Sequence, residues 1–228
     1  MNIKVIAFDA DDTLWVNEPY FQQTEAKFCA LMEDYLPKHA LAQELFKTET
    51  KNLALYGYGV KGFMLSMIET ALSVSNNTID ITVIEKAIEY GKELLQKPIE
   101  LLEGIELVLQ QLQQKYTLVV ATKGDLLDQA RKLNNSGINH YFHHTEIMSD
   151  KQAVDYAKLI KRLHIDPSQF LMIGNSLKSD VLPVLEIGGH AIHIPYHTTW
   201  AHEQITHHVQ HKNFTQVKVA ADILPLLL

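Results

Sequence analysis

The sequence predicts an α/β fold: a parallel sheet covered by helices on both faces, with an all-helical segment inserted soon after the first strand. Three observations carry this. Four short runs are apolar almost without interruption, as strands buried on both faces are. Helical patterns alternate with those runs in the second half of the chain, which is the signature of right-handed β-α-β crossovers. The stretch from about 16 to 100 holds several helical patterns in succession and almost no strand signal.

The elements follow in order. Ile3–Phe8 is the first apolar run. In the insert, Phe21, Phe28, Leu31, Met32 and Tyr35 recur at helical spacing, and Leu41, Leu45 and Phe46 open a second pattern. Phe63, Met64, Met67, Ile68 and Leu72 make a third; Val83, Ile84, Ala87, Ile88, Leu94 and Leu95 make a fourth, with Asp80 or Thr82 as N-cap. Tyr116–Ala121, Phe170–Ile173 and Ala191–Ile194 are the remaining strong runs, and Tyr141–Ile147 is a weaker fifth strand. Leu126–Leu133, Gln152–Leu163 and Val181–Ile187 read as the helices between them. The organisation expected is a core of residues 1–15 and 101–228 with residues 16–100 as a separate helical domain. The greasy ending Ile223–Leu228 reads as a docked tail.

Composition narrows the function. The chain has 228 residues, of which 46% are hydrophobic, enough for a sizeable core. Its net charge is −7, from 20 basic and 27 acidic residues, and it carries no basic run, which argues against nucleic acid as a partner. No apolar stretch reaches the roughly 18 residues a membrane span needs. The apolar start before Asp9 is too short for a signal peptide. Cys29 is the single cysteine, so no disulfide forms within the chain, and a cytoplasmic setting is expected.

Ligands of open parallel sheets bind beyond the carboxyl ends of the strands. Here those ends carry Asp9-Ala10-Asp11-Asp12-Thr13, then Thr122-Lys123-Gly124-Asp125, then Gly174-Asn175-Ser176 with Asp180 a helical turn on; Lys151 opens the helix before that last strand. Such a set suits phosphoryl transfer. A carboxylate can attack phosphorus to form an acyl phosphate. A hard cation offsets its repulsion from a phosphate dianion. A second acid protonates the leaving oxygen and then activates water, while a hydroxyl, amides and a lysine hold the phosphoryl oxygens.

Ile6-Ala7-Phe8-Asp9-Ala10-Asp11-Asp12-Thr13-Leu14 resembles the first motif of the haloacid dehalogenase superfamily, an apolar strand followed by Asp-x-Asp-x-Thr. Val119-Val120-Ala121-Thr122 is similar to its second motif and Lys151 to its third. Met172–Asp180 resembles the fourth, and the helical insert resembles a helical cap of the C1 type. The resemblance covers essentially the whole chain. It implies a Rossmann-like core, Mg2+ as cofactor and phosphatase activity on a small soluble phosphorylated metabolite. It implies Asp9 as nucleophile and metal ligand. Asp11 would be the general acid/base and give its backbone carbonyl to the metal. Thr122 and the amide of Lys123 would bind the phosphoryl group. Lys151 would balance charge, and Asn175 and Asp180 would complete the metal site.

Two positions depart from the motif. Asp12 replaces the commoner Gly, and its side chain is expected to face away from the site. Asn175 stands where an Asp is usual, which predicts weaker metal binding.

Blander readings stand beside these. The Asp-x-Asp start fails as a calcium loop, because its sixth position is Leu14 and its twelfth Tyr20. Thr122 could cap a helix, although Asp125 is better placed. Lys158 and Lys161 rival Lys151, and the Lys123 side chain could face solvent. Gly57-Tyr58-Gly59-Val60-Lys61-Gly62 spells a dinucleotide fingerprint but follows a helix, so it reads as a loop between helices; Tyr58 and Lys61 are candidates for substrate contact. Seven histidines lie between 190 and 211, and His202, His207, His208 and His211 read as a solvated helix face. Tyr196–Trp200 follows the last strand and is a candidate rim of the site. A phosphomutase, a 2-haloacid dehalogenase and a non-catalytic binding protein remain the alternatives; oligomeric state is not legible.

Overall fold

The computed structural model describes residues 2–228. It divides into two compact units, Met1–Glu18 with Ile99–Leu228, and Pro19–Pro98.

The first unit is built on a six-stranded, all-parallel sheet of order β3-β2-β1-β4-β5-β6. Its strands are β1 (Val5–Phe8), β2 (Thr117–Lys123), β3 (His144–Met148), β4 (Phe170–Gly174), β5 (His190–His193) and β6 (Phe214–Gln216). The apolar runs are continuous because both faces are covered. Ile6, Phe8, Leu118, Val120, Leu171 and Ile173 pack with Ile105, Val108, Leu109 and Leu112 of α5 (Ile105–Leu112). Val5, Ala7, Val119, Ala121, Phe170 and Met172 pack on the other face with Tyr156, Leu159 and Ile160 of α7 (Ala153–Arg162).

β6 was not foreseen. It is three residues long and only partly buried, so it carries no apolar signature. The histidine stretch forms no extended helix; the only helical turn there is Ala201–Glu203. The helix expected at Val181–Ile187 begins earlier, as a π-helical turn at Leu177–Val181 that runs into α8 (Leu182–Glu186). The C-terminal segment packs as expected of a docked tail: Ile223 and Leu227 join the core, and the Leu227 carbonyl accepts from Lys115 Nζ and Tyr116 OH. No helix among the described residues is long and apolar enough to cross a membrane.

The second unit is all helical within Pro19–Pro98. Its helices are α1 (Glu18–Leu31, whose first residue belongs to the first unit), α2 (Lys38–Tyr56), α3 (Val60–Val74) and α4 (Ile81–Leu95). Phe28, Met32, Leu41, Leu45, Phe63, Met67 and Ala87 form its own core. Asp80 caps α4 by accepting from the Thr82 amide. Gly57 ends α2 and Gly59 precedes α3, so the glycine-rich stretch is an interhelical turn. The two crossings between units are paired where they enter the first: the Val16 amide donates to Glu100 O and the Leu102 amide to Leu14 O, both at 2.9 Å.

Candidate active site

β1 lies between β2 and β4, so the residues just past its end meet those at the ends of both neighbours. The Asp9 amide donates to Ile173 O at 2.9 Å, which holds Asp9 at the last rung of the sheet. Beyond it the chain turns sharply, with the Leu14 amide donating to Ala10 O at 2.8 Å. Asp12 occupies the left-handed region at φ 61°, where Asp is tolerated better than most residues with a side chain. Its carboxylate accepts from the amides of Asn17 and Glu18 at 2.9 Å each, rather than from any other candidate side chain. Burial pushes its carboxyl up to about 8.

Asp9 is 6% exposed. Its Oδ1 accepts from Lys151 Nζ, and its Oδ2 from Thr13 Oγ1 at 3.2 Å. Lys151 sits two residues before α7 rather than within it, and is 1% exposed. Its ammonium also donates to Asp180 Oδ1 at 2.7 Å. Loss of water lowers the pKa of Lys151, but Asp180 and Asp9 more than offset that and hold it above the ordinary range. Burial lifts the Asp9 carboxyl to about 7; Lys151 opposes that and Asp180 adds to it. Two buried carboxylates thus share one lysine.

Asp11 faces a different set. Its Oδ1 accepts from Trp15 Nε1 at 2.8 Å and Lys132 Nζ at 2.9 Å, and its Oδ2 from Gln129 Nε2 at 2.9 Å. Gln129 and Lys132 lie three residues apart on α6 (Leu126–Asn135), hence on one face. Gln129 Nε2 also donates to Thr122 Oγ1 and Lys123 O, each at 3.0 Å, so one amide ties Asp11 to the end of β2. Asp125 caps α6 through the Asp128 amide, which leaves Thr122 to Gln129.

Asn175 Oδ1 accepts from the Thr13 hydroxyl at 3.2 Å, the hydroxyl that also reaches Asp9. The Nε2–H of His193, at the end of β5, donates to Asn175 O at 2.9 Å. Asp180 Oδ2 accepts from the Ser176 amide at 2.9 Å. Gly174 is required here: a Cβ at that position would lie 2.2 Å from Asp180 Oδ2.

Of the expected residues, Asp9, Lys151, Asp180 and Asn175 form one linked group, while Asp11 and Thr122 form a second through Gln129. Lys123 departs from the solvent-facing alternative. Its side chain is 15% exposed and pairs with Glu203 at 2.5 Å. Lys158 pairs with Asp155 on an exposed surface, so it does not rival Lys151. Gln129, Lys132, His193 and Glu203 escaped sequence reasoning. Only the polar i, i+3 pair on an amphipathic helix after the second motif could have signalled the first two.

The donor chemistry fits a hard cation in kind. Asp9 Oδ2 and Asn175 Oδ1 are both oxygens within reach of one hydroxyl. Among the described residues, no three or more His, Cys, Asp or Glu side chains are grouped to hold a metal, so such a site depends on neutral oxygens as well.

A parallel α/β sheet that presents a lysine-paired carboxylate beyond its central strand has the makings of a hydrolase acting through that carboxylate. The chain belongs to the haloacid dehalogenase-like hydrolases: the model of that family matches residues 3–188. Among solved structures it is similar to a haloacid dehalogenase-like family hydrolase from Xanthomonas campestris, at 35% identity and TM-score 0.89, covering 99% of this chain and 92% of that one. A predicted phosphoglycolate phosphatase from Haemophilus somnus shares the fold at 18% identity and TM-score 0.65, covering 99% and 98%. A 2-haloacid dehalogenase from Pseudomonas syringae pv. tomato does so at 17% and 0.66, with the same coverage. No curated protein matches the sequence.

Proposed function

We propose that this chain is a magnesium-dependent phosphomonoesterase, acting on a small phosphorylated metabolite with Asp9 as nucleophile. The observation that carries the reading is the separate tethering of two carboxylates two residues apart. Asp9 is held by Lys151 and Thr13, and Asp11 by Lys132, Gln129 and Trp15.

That division suits two roles. An Asp9 oxygen attacks phosphorus, the bond to the substrate's ester oxygen breaks, and Asp11, released from Lys132 and protonated beforehand, gives that oxygen a proton. Asp11 then takes a proton from water as the water attacks the acyl phosphate, which frees Asp9 and inorganic phosphate. Thr122, held by Gln129, and the Lys123 amide bind the phosphoryl oxygens.

The lysines explain the need for a further cation. Lys151 is shared by Asp9 and Asp180, Lys132 is paired with Asp11, and Lys123 with Glu203. Each therefore already offsets a carboxylate. Asp9, Asn175 and the Asp11 backbone carbonyl would hold magnesium, with Asp180 orienting Lys151 beside them. The ion supplies charge neutralisation and alignment of the phosphoryl group.

One observation favours attack on a halogen-bearing carbon instead: the neutral Asn175, where a carboxylate is usual, suits chemistry without a metal. Asp11 weighs against it, since that reaction needs no acid for an ester oxygen.

p-Nitrophenyl phosphate hydrolysis separates the two. The proposal expects turnover with magnesium, none with excess chelator, and none in Asp9→Asn. Halide release from a 2-haloacid in chelator, without phosphatase activity, would establish the rival.

A further inference from the structure

Glu203 lies beyond the span matched by the family, on the helical turn Ala201–Glu203. Its carboxylate is nonetheless among the most heavily bonded in the first unit. Oε1 accepts from Lys123 Nζ at 2.5 Å, and Oε2 accepts from Ser176 Oγ at 2.6 Å and Ser179 Oγ at 2.5 Å. Lys123 Nζ also donates to Ser179 Oγ at 2.9 Å, which closes a ring of three side chains. The side chains of Lys123 and Glu203 are only 15% and 11% exposed, so these bonds are largely shielded from water.

The ring joins two parts of the site that lie more than 50 residues apart in the chain. Lys123 ends β2, directly after Thr122. Ser176 caps, and Ser179 lies within, the π-helical turn that follows Asn175 and contains Asp180. A second tie runs alongside, from Lys178 Nζ to His202 O at 2.7 Å. A π turn is rare and, where it occurs, frequently lies at a functional site; this one is also held by Tyr156 OH, which donates to Ser179 O at 3.0 Å. Here Asp180 depends on it to present Oδ1 to Lys151.

We infer that Glu203 is a positioning residue of the active site: it fixes the turn that follows Asn175 and bears Asp180 against the end of β2. It touches no atom of Asp9 and reaches the phosphoryl site only through the Lys123 side chain, so it acts by setting where its partners stand. This inference rests on the phosphatase reading for its kinetic consequence, not for its structural one.

The test is Glu203→Gln, which keeps the side chain's shape and removes its charge. Hydrolysis of p-nitrophenyl phosphate with magnesium is measured beside amide hydrogen exchange across the whole chain. The expected result is a kcat at least about tenfold lower with KM changed less than about threefold, as a small misplacement of site groups produces. Amides of 176–181 exchange faster, while those of β1 and β2 keep wild-type rates. Unchanged exchange at 176–181 overturns the inference, whatever the activity. So does a wild-type kcat in an active enzyme, or a rise in exchange over the whole sheet, which makes Glu203 a stabilising residue only. A wild-type protein inactive on every phosphate ester counts against the phosphatase reading alone, and the exchange data still decide the role of Glu203.

Discussion

Three residues show how local physics sets this site. Asp12 stands where glycine is commoner in the motif, and its positive φ explains that preference. Its side chain offsets the strain by accepting from the Asn17 and Glu18 amides. Asp12→Ala keeps the strain and loses the acceptor, so thermal unfolding should show a loss of about 1–2 kcal/mol, the usual cost of a lost cap. Lys151 is the most exposed to failure, energetically, because two buried carboxylates depend on it. Lys151→Met should cost about 3–5 kcal/mol in denaturant unfolding and abolish turnover, since it leaves buried charge unpaired. A stable variant would mean that the pair is solvated. Asn175 is a neutral oxygen donor; Asn175→Asp should lower the half-saturating magnesium concentration roughly tenfold by adding a charge to the donor set. An unchanged magnesium titration would place the metal elsewhere.

At the scale of elements, the π turn and its fastenings matter most. Gly174→Ala forces a Cβ toward Asp180 Oδ2 at the buried end of β4, so it should displace Asp180 and reduce kcat far more than a glycine-to-alanine change on the surface. The Lys123–Glu203 pair has a pH signature. Burial alone would raise the Glu203 carboxyl, but Lys123, Ser176 and Ser179 together bring it down to about 2 from an ordinary 4.5. A carboxylate depressed on folding stabilises fully above its unfolded value and loses that contribution as pH falls through its folded one. The melting-temperature gap between wild type and Glu203→Gln should therefore be constant above about pH 5 and narrow between 4.5 and 2. A gap independent of pH would show that the charge contributes nothing.

The same scale shows what the sequence made legible. β1, β2, β4 and β5 were visible because both faces of the sheet are covered, which leaves a near-continuous apolar run within each strand. β3 was fainter, since its register at the sheet edge leaves His144 and Glu146 on it. β6 is a three-residue edge strand, below what a pattern can reveal. Asp9, Asp11, Thr122, Lys151, Asn175 and Asp180 were singled out because they end strands or follow them within the motifs that the sequence resembles. Gln129, Lys132 and Glu203 were not, because their roles exist only once α6 and the 201–203 turn are packed. Lys123 was found by address while its partner, 80 residues on, was invisible.

At the scale of the molecule, the chain leaves the sheet after β1, builds a helical unit with its own core, and returns through a paired crossing to complete the sheet. The net charge of −7 gives no general attraction for an anionic substrate, so the proposed phosphate ester would have to be recognised by the site itself. Lys123, Lys132 and Lys151 each already offset a carboxylate, so a phosphoryl group bound there calls for a further cation, and the covalent step at Asp9 is the central proposal. The most direct measurement is rapid quenching of the enzyme in acid during turnover of a phosphate ester with magnesium, followed by mass spectrometry of the peptide that holds Asp9. The account predicts one added phosphoryl group on Asp9, absent with chelator and absent in Asp9→Asn. Steady turnover with no phosphoryl group on Asp9 at any quench time, and full activity in Asp9→Asn, would contradict it.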